Sequence, residues 1–225
     1  MTSVALVLYP GFTALDIVGP FQTLVSIPGL DVFFVSEVAG DVTDDTGRFT
    51  LKATKSFDDV PHPDVVVVPG GLHVRTATED DPVVHWLQKV HPTTTWTTRV
   101  CTGAIYLALA GLLQGITSTT HWAFYDRLEA LGAHPTEQRV VVVGKIITDA
   151  GVSAGIDMGL TLVSFLMNDD VAKMVQLAIE YDPHPPFDTG APSKVSPQML
   201  KATRRAMGID RVLVSPRLSA LRSAG

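Results

Sequence analysis

A chain of 225 residues with 46% hydrophobic side chains has enough apolar material for one well-buried core, arranged in one or two domains. Its formal net charge of −6 argues against nucleic acid as the partner of the whole surface, and its single cysteine excludes an internal disulfide framework or a Cys-cluster zinc site. The N-terminus lacks a basic region, its apolar run is cut by Pro10, Asp16 and Pro20, and no apolar run nears bilayer length. The expectation is a cytoplasmic protein without signal peptide or membrane span, its thiol kept reduced.

Ser3 to Tyr9 (SVALVLY) is a nearly continuous apolar run, the pattern of a strand buried on both faces, and Pro10-Gly11 end it. Ala14 to Ile27 reads as helix. Pro20 is expected to kink it or begin a new segment, because proline lacks an N–H and crowds the preceding turn. Asp16 lies just ahead of that break, where a first-turn acid favoured by the helix dipole and a catalytic acid are equally good readings. Asp31 to Val38 predicts a second strand. Alternation from Asp41 to Phe57 around Asp45-Thr46-Gly47 predicts a hairpin-like excursion off the main sheet. Asp64 to Val68 (DVVVV) is another buried strand, stopped by Pro69-Gly70-Gly71. Paired glycines make a tight turn, and they also let backbone amides approach a ligand. Asp80 to His91 predicts a helix, with Pro82 tolerated in its first turn.

A β-rich run from Trp96 then reaches Cys101, followed by Thr102-Gly103 and ten uncharged, mostly apolar residues. Strand, sharp turn and helix, with a reactive side chain at the turn, is the geometry of a nucleophile elbow. It lifts one side chain clear of a parallel sheet and aims the next amides at the same space. By residue type alone a lone cysteine is more often a small core hydrophobe; the local pattern reverses that.

Beyond the elbow, Thr119 to Leu131 opens with threonines suited to capping a helix and places His121 in its first turn. Arg139–Val143 and Lys145–Thr148 read as a strand pair turning at Gly144. Ala154 to about Met167 and Val171 to Tyr181 read as helices. From Asp182 the composition shifts, with prolines at 183, 185, 186, 192 and 197, and from Lys194 to the end seven Lys and Arg stand against one Asp. The chain therefore divides into an α/β domain over 1–182 and a Pro-rich segment with a basic tail over 183–225, packed on the same domain or across a dimer. Such a tail is more often a solvated helix, or an arm crossing an acidic subunit, than a nucleic-acid binder.

Buried runs alternating with helices predict an α/β fold with a mainly parallel sheet and helices on both faces. Ligands bind such sheets outside the carboxyl ends of the strands, near the switch point. Three strand ends carry unusual chemistry: Tyr9-Pro10-Gly11 leading to Asp16, Pro69-Gly70-Gly71, and Cys101-Thr102-Gly103. If these strands are adjacent and parallel, the ends share one crevice holding a thiol, a carboxylate and backbone donors from Gly71 and Thr102. A helix N-terminus would depress the Cys101 thiol until it is largely thiolate near neutrality. Asp16 beside it would keep a proton and act as general acid. No Cys-His-acid triad is evident, and His121 is the one histidine that can be placed near the crevice, as an accessory group.

VALVLYPGFTALDIVGP, DVVVVPGG, VCTGA followed by AGLLQG, and TTHW together resemble, in order over about the first 180 residues, the ThiJ/PfpI superfamily of class I glutamine-amidotransferase-like proteins. The aspartate of LDIVGP, the Cys-Thr at the elbow and EYDPHPPFDTGAP are most similar to its isonitrile hydratases. The resemblance implies a flavodoxin-like three-layer α/β/α sandwich, a homodimer, no cofactor and no metal. It also implies hydration of an isonitrile, a small-molecule substrate, to an N-substituted formamide through a Cys thiolate and a covalent thioimidate, with neither nucleic acid nor membrane as partner. Carried over on the same resemblance, Cys101 matches the nucleophile and Asp16 its partnering acid. Thr102 matches the residue whose backbone and hydroxyl serve the site, Gly71 an oxyanion-type backbone donor, and Val152 the segment lining the substrate pocket.

Two rival readings share the fold. Similar domains form the sensory half of AraC-type regulators, which continue into a helix-turn-helix region of on the order of 100 residues; 44 residues follow Tyr181 here, so a stand-alone sensor is the form this rival takes. Peptidase-like relatives place His after the nucleophile where this chain has Thr102. Glyoxalase- or deglycase-like relatives usually carry Glu where it has Asp16. Fold and nucleophile alone do not choose among them.

Overall fold

A strand with no polar face needs protein on both sides, and the fully buried valines Val65–Val68 obtain it at the centre of a seven-stranded sheet. The computed structural model describes residues 1–209. In chain order they form β1 (Thr2–Val7), α1 (Ala14–Leu24), β2 (Leu30–Ser36), β3 (Gly40–Thr43), β4 (Thr50–Ala53), β5 (Lys55–Ser56), β6 (Val65–Val68), α2 (Pro82–Val90) and β7 (Trp96–Arg99). There follow α3 (Ala104–Leu109), β8 (Thr117–Ser118), α4 (Tyr125–Ala130), β9 (His134–Pro135), β10 (Val140–Val143), β11 (Ile146–Asp149), α5 (Ala154–Leu166), α6 (Asp169–Ala178) and α7 (Pro197–Ala206).

The sheet order is β10-β11-β7-β6-β1-β2-β5, and every pairing is parallel except β10 with β11. From β1 the chain steps outward to β2, then returns to β6 on the other side of β1. The switch point therefore lies between β1 and β6, as in flavodoxin-like sheets. One helical layer is built by α1 on α5 and α5 on α6, the other by α2 on α3 and α3 on α4. The expected α/β/α sandwich is the fold observed.

Most elements lie where the sequence predicts them, and three differ. Helix α1 runs through Pro20 as one element and ends at Leu24; the lost N–H falls opposite the Asp16 carbonyl, and burial of Ile17, Pro20 and Leu24 holds the helix together. The elbow leads through a 3-10 turn (Cys101–Gly103) into a helix of only six residues. The segment from Thr119 begins outside any helix or strand, and His121 caps a 3-10 turn before the short α4. The predicted hairpin is β3 with β4, off the main sheet.

The described part of the C-terminal segment lies against the α/β core. Arg75 Nη2 donates to the Met207 carbonyl at 2.8 Å, Ile209 is buried, and the Arg204 guanidinium sits 5.5 Å from the Trp122 ring centre. The rest of the basic tail, 210–225, lies outside the described residues. Among the described residues no helix is long and apolar enough to cross a membrane.

Candidate active site

Because β1, β6 and β7 are adjacent and parallel, the chain exits after Val7, Val68 and Arg99 share one sheet edge. The neighbouring β11 adds a fourth exit at Asp149. The condition set by the sequence is met, and the three marked loops converge.

Their hub is Pro69-Gly70-Gly71. The Gly70 amide donates to Asp16 Oδ2 at 2.8 Å, and the Gly71 amide to Thr102 Oγ1 at 3.0 Å. The Pro69 carbonyl accepts from Tyr9 Oη at 2.9 Å, and the Gly70 carbonyl from the Thr13 amide at 2.8 Å. A Cβ on Gly70 would fall 2.5 Å from Thr102 Oγ1 and 2.7 Å from both Asp16 Oδ2 and the Thr102 nitrogen, so only glycine lets acid and elbow approach the same backbone. The expected role of Gly71 is changed by this geometry. Its amide is occupied by Thr102, and a substrate would receive it only by displacing that hydroxyl.

Cys101 has φ of 55°, the left-handed region that costs a non-glycine residue about 1–3 kcal/mol. Its amide donates to Asp149 Oδ1 at 3.2 Å, and its carbonyl accepts from Arg99 Nη1 at 2.8 Å and Thr120 Oγ1 at 2.9 Å. The Thr102 amide donates toward the sulfur. Asp16 is wholly inaccessible, and its Oδ1 has no well-aligned partner among the described residues. The Cys101 thiol is near enough to favour the ionised carboxyl.

The electrostatics correct the expectation of a resting thiolate. Burial dominates and pushes the Cys101 thiol well up; Asp16 and Asp149 push it further, against partial relief from the Thr102 amide and Arg99. A six-residue helix supplies too little dipole to reverse that. Burial also pushes Asp16 up to about 7, opposed by the Gly70 amide and the Cys101 thiol. Near neutrality Cys101 thus keeps its proton as a thiol beside a carboxyl that is partly ionised, with Asp16 the more acidic member of the pair. Asp16 is a base towards the thiol before it can be an acid towards anything else.

A cavity of about 490 Å³ adjoins this cluster, with Leu15, His121, Trp122, Tyr125, Val152 and Pro192 in its wall. Cys101 and Asp16 are not wall residues, but their surroundings reach it through Leu15, beside Asp16, and Ala150, beside Asp149. The structure therefore gathers Cys101, Asp16, Thr102 and Gly71, and sets Val152 and His121 in the adjoining cavity. His121 Nδ1 accepts from the Ala123 amide at 3.3 Å, which assigns the ring proton to Nε2. Burial, then Arg204, pushes the imidazole down to about 4, so it is neutral at physiological pH.

Sequence reasoning missed Asp149, Arg99 and Thr120, all buried around the elbow backbone. A signal existed for two of them: Asp149 ends the β-prone run IIT at the carboxyl edge, and Arg99 interrupts a β-rich run just before the nucleophile.

Comparison with known proteins adds four similarities. Residues 2–165 match the DJ-1/PfpI family. An isonitrile hydratase from Pseudomonas putida is 41% identical over 202 residues, spanning 90% of this chain and 88% of that protein. The crystal structure of a ThiJ/PfpI family protein from Pseudomonas syringae superposes with a TM-score of 0.86 at 34% identity, covering 92% of this chain and 86% of that one. An HTH-type transcriptional regulator from Pseudomonas aeruginosa is 33% identical over 102 residues, 44% of this chain but 29% of the regulator.

Proposed function

This chain belongs to the DJ-1/PfpI family, and on that premise we propose that it is an isonitrile hydratase, converting R–N≡C and water to R–NH–CHO. The observation that carries the reading is the buried Cys101–Asp16 pair, a thiol beside a carboxyl that burial brings to titrate near neutrality, at the sheet's switch point in a chain similar to such a hydratase over nine-tenths of its length. Asp16 takes the thiol proton and delivers it to the terminal isonitrile carbon as the sulfur bonds there, giving R–N=CH–S–Cys101. Water then adds to that carbon. One of its protons goes to nitrogen and the other, through Asp16, to the sulfur as the C–S bond breaks, releasing the formamide and the thiol. The Thr102 amide stabilises charge on the sulfur. Gly71 acts through Thr102, whose hydroxyl it orders, and the group R occupies the cavity walled by Trp122, Tyr125 and Val152.

The test is incubation with a simple aliphatic or aromatic isonitrile, following formamide by mass spectrometry, with Cys101→Ala as control. Formation of formamide by the native chain and its loss in the variant support the reading; turnover retained without Cys101 sinks it. The regulator similarity favours one alternative, a ligand sensor. Absence of turnover combined with saturable binding of a small molecule would select it. The hydratase reading also carries a homodimer, measurable by light scattering.

A further inference from the structure

Three buried groups that this chemistry does not use surround the backbone of Cys101. Arg99 and Asp149 are fully inaccessible, and so is Thr120. Arg99 leaves Nε and Nη2, and Asp149 leaves Oδ2, without a partner among the described residues. Burying polar and ionisable groups that are only partly satisfied is a poor way to stabilise a fold, since hydrophobic side chains would do as well or better. What the groups do instead is specific. Asp149 accepts the Cys101 N–H, while Arg99 and Thr120 donate to the Cys101 C=O, so both polar groups of the residue at φ 55° are held. Arg99 Nη1 also donates to the Asp149 carbonyl, joining the two sides. A left-handed non-glycine residue persists only where its surroundings over-determine it, and here they do so from two neighbouring strand ends and one loop.

We propose that Asp149, Arg99 and Thr120 form a clamp of positioning residues, with Asp149 its key member, that holds Cys101 in the left-handed conformation and so presents its thiol to Asp16. This rests on Cys101 as the attacking atom, not on the isonitrile. Released, the backbone would relax toward ordinary φ and carry the sulfur away from the acid, and misplacement by about 1 Å can cost on the order of 100-fold in rate. Asn at 149 keeps the acceptor for the amide; Ala does not.

Because Cys101 is the only cysteine, its alkylation by iodoacetamide reports this site alone, whatever the substrate. The groups facing the thiol are Asp16 from α1, Arg99 from β7, Asp149 from β11 and Tyr9 beyond β1. Native protein should show an alkylation step near pH 7 that Asp16→Asn removes. Asp149→Ala should also lose the step, and in turnover its kcat should fall by about 100-fold with KM changed far less; Asp149→Asn should keep the step and restore most of kcat. Thr120→Val, which removes one hydroxyl at nearly constant volume, should weaken both readouts in the same direction, and it decides the matter if Asp149→Ala does not fold. A folded Asp149→Ala or Thr120→Val protein with the native alkylation profile overturns the clamp. If the native chain turns over no isonitrile, the alkylation arm still decides the clamp and the hydratase reading alone fails.

Discussion

The Gly70 amide donates to Oδ2 of Asp16 at 2.8 Å, and this bond orients a carboxyl that burial would otherwise leave neutral. One amide proton thus keeps a buried acid titratable near physiological pH, in place to exchange a proton with Cys101.

Substituting Gly70 by Ala should be far worse than a single methyl suggests. The added carbon would meet Thr102 Oγ1, Asp16 Oδ2 and backbone nitrogen at 2.5–2.7 Å, so the Pro-Gly-Gly turn must shift and take the acid with it. Turnover should drop about 100-fold, with a stability loss of about 1–3 kcal/mol in denaturant titration.

The rate should depend on pH through Asp16. Its ionised form must accept the thiol proton, so kcat/KM should rise with pH through about 7 and level off above. Asp16→Asn should remove most activity and flatten the remainder; a native limb surviving in that variant would assign it to another group.

Stability should move the opposite way. The folded Asp16 titrates at about 7 against 3.8 for the ordinary carboxyl, so the native state binds more protons between those values. Stability from this group is therefore greatest at low pH and declines as pH rises towards 7, by on the order of 4 kcal/mol in full. Asp16→Asn should raise the melting temperature at pH 8 more than at pH 5, a gain in stability bought with loss of function.

His121 should not contribute a limb between pH 5 and 8, because burial holds its imidazole neutral down to about 4. His121→Asn, which keeps an N-cap acceptor for Ala123, should leave the profile unchanged, and in the native chain the His121 imidazole resonances should shift only below about pH 5. A limb lost in this variant would give His121 the proton-transfer role.

Arg75 ties the C-terminal segment down through the Met207 carbonyl, and Gly190 to Ser193 of that segment wall the cavity. Arg75→Ala should loosen the wall without touching the Cys101–Asp16 pair. KM should rise several-fold with kcat nearly constant, and trypsin should cleave beyond residue 194 sooner.

Much of this protein is written in local pattern. The runs SVALVLY and DVVVV have no polar face and read as strands buried on both sides, and the glycines after them make tight turns. Cys101 between a β-rich run and helix-forming residues already marks an elbow, and the order of buried runs already predicts a parallel sheet. What the local pattern does not contain is the proton's location. The expected thiolate depended on a helix dipole, whereas the folded chain surrounds the sulfur with apolar burial and two carboxyls, and those terms win. Nor does it contain the partners of the Cys101 backbone. Asp149 follows the nucleophile by 48 residues and reaches it only because β11 pairs with β7. Sequence neighbours determine which residues can react; desolvation and strand adjacency, which exist only once the sheet has closed, decide which state they react from.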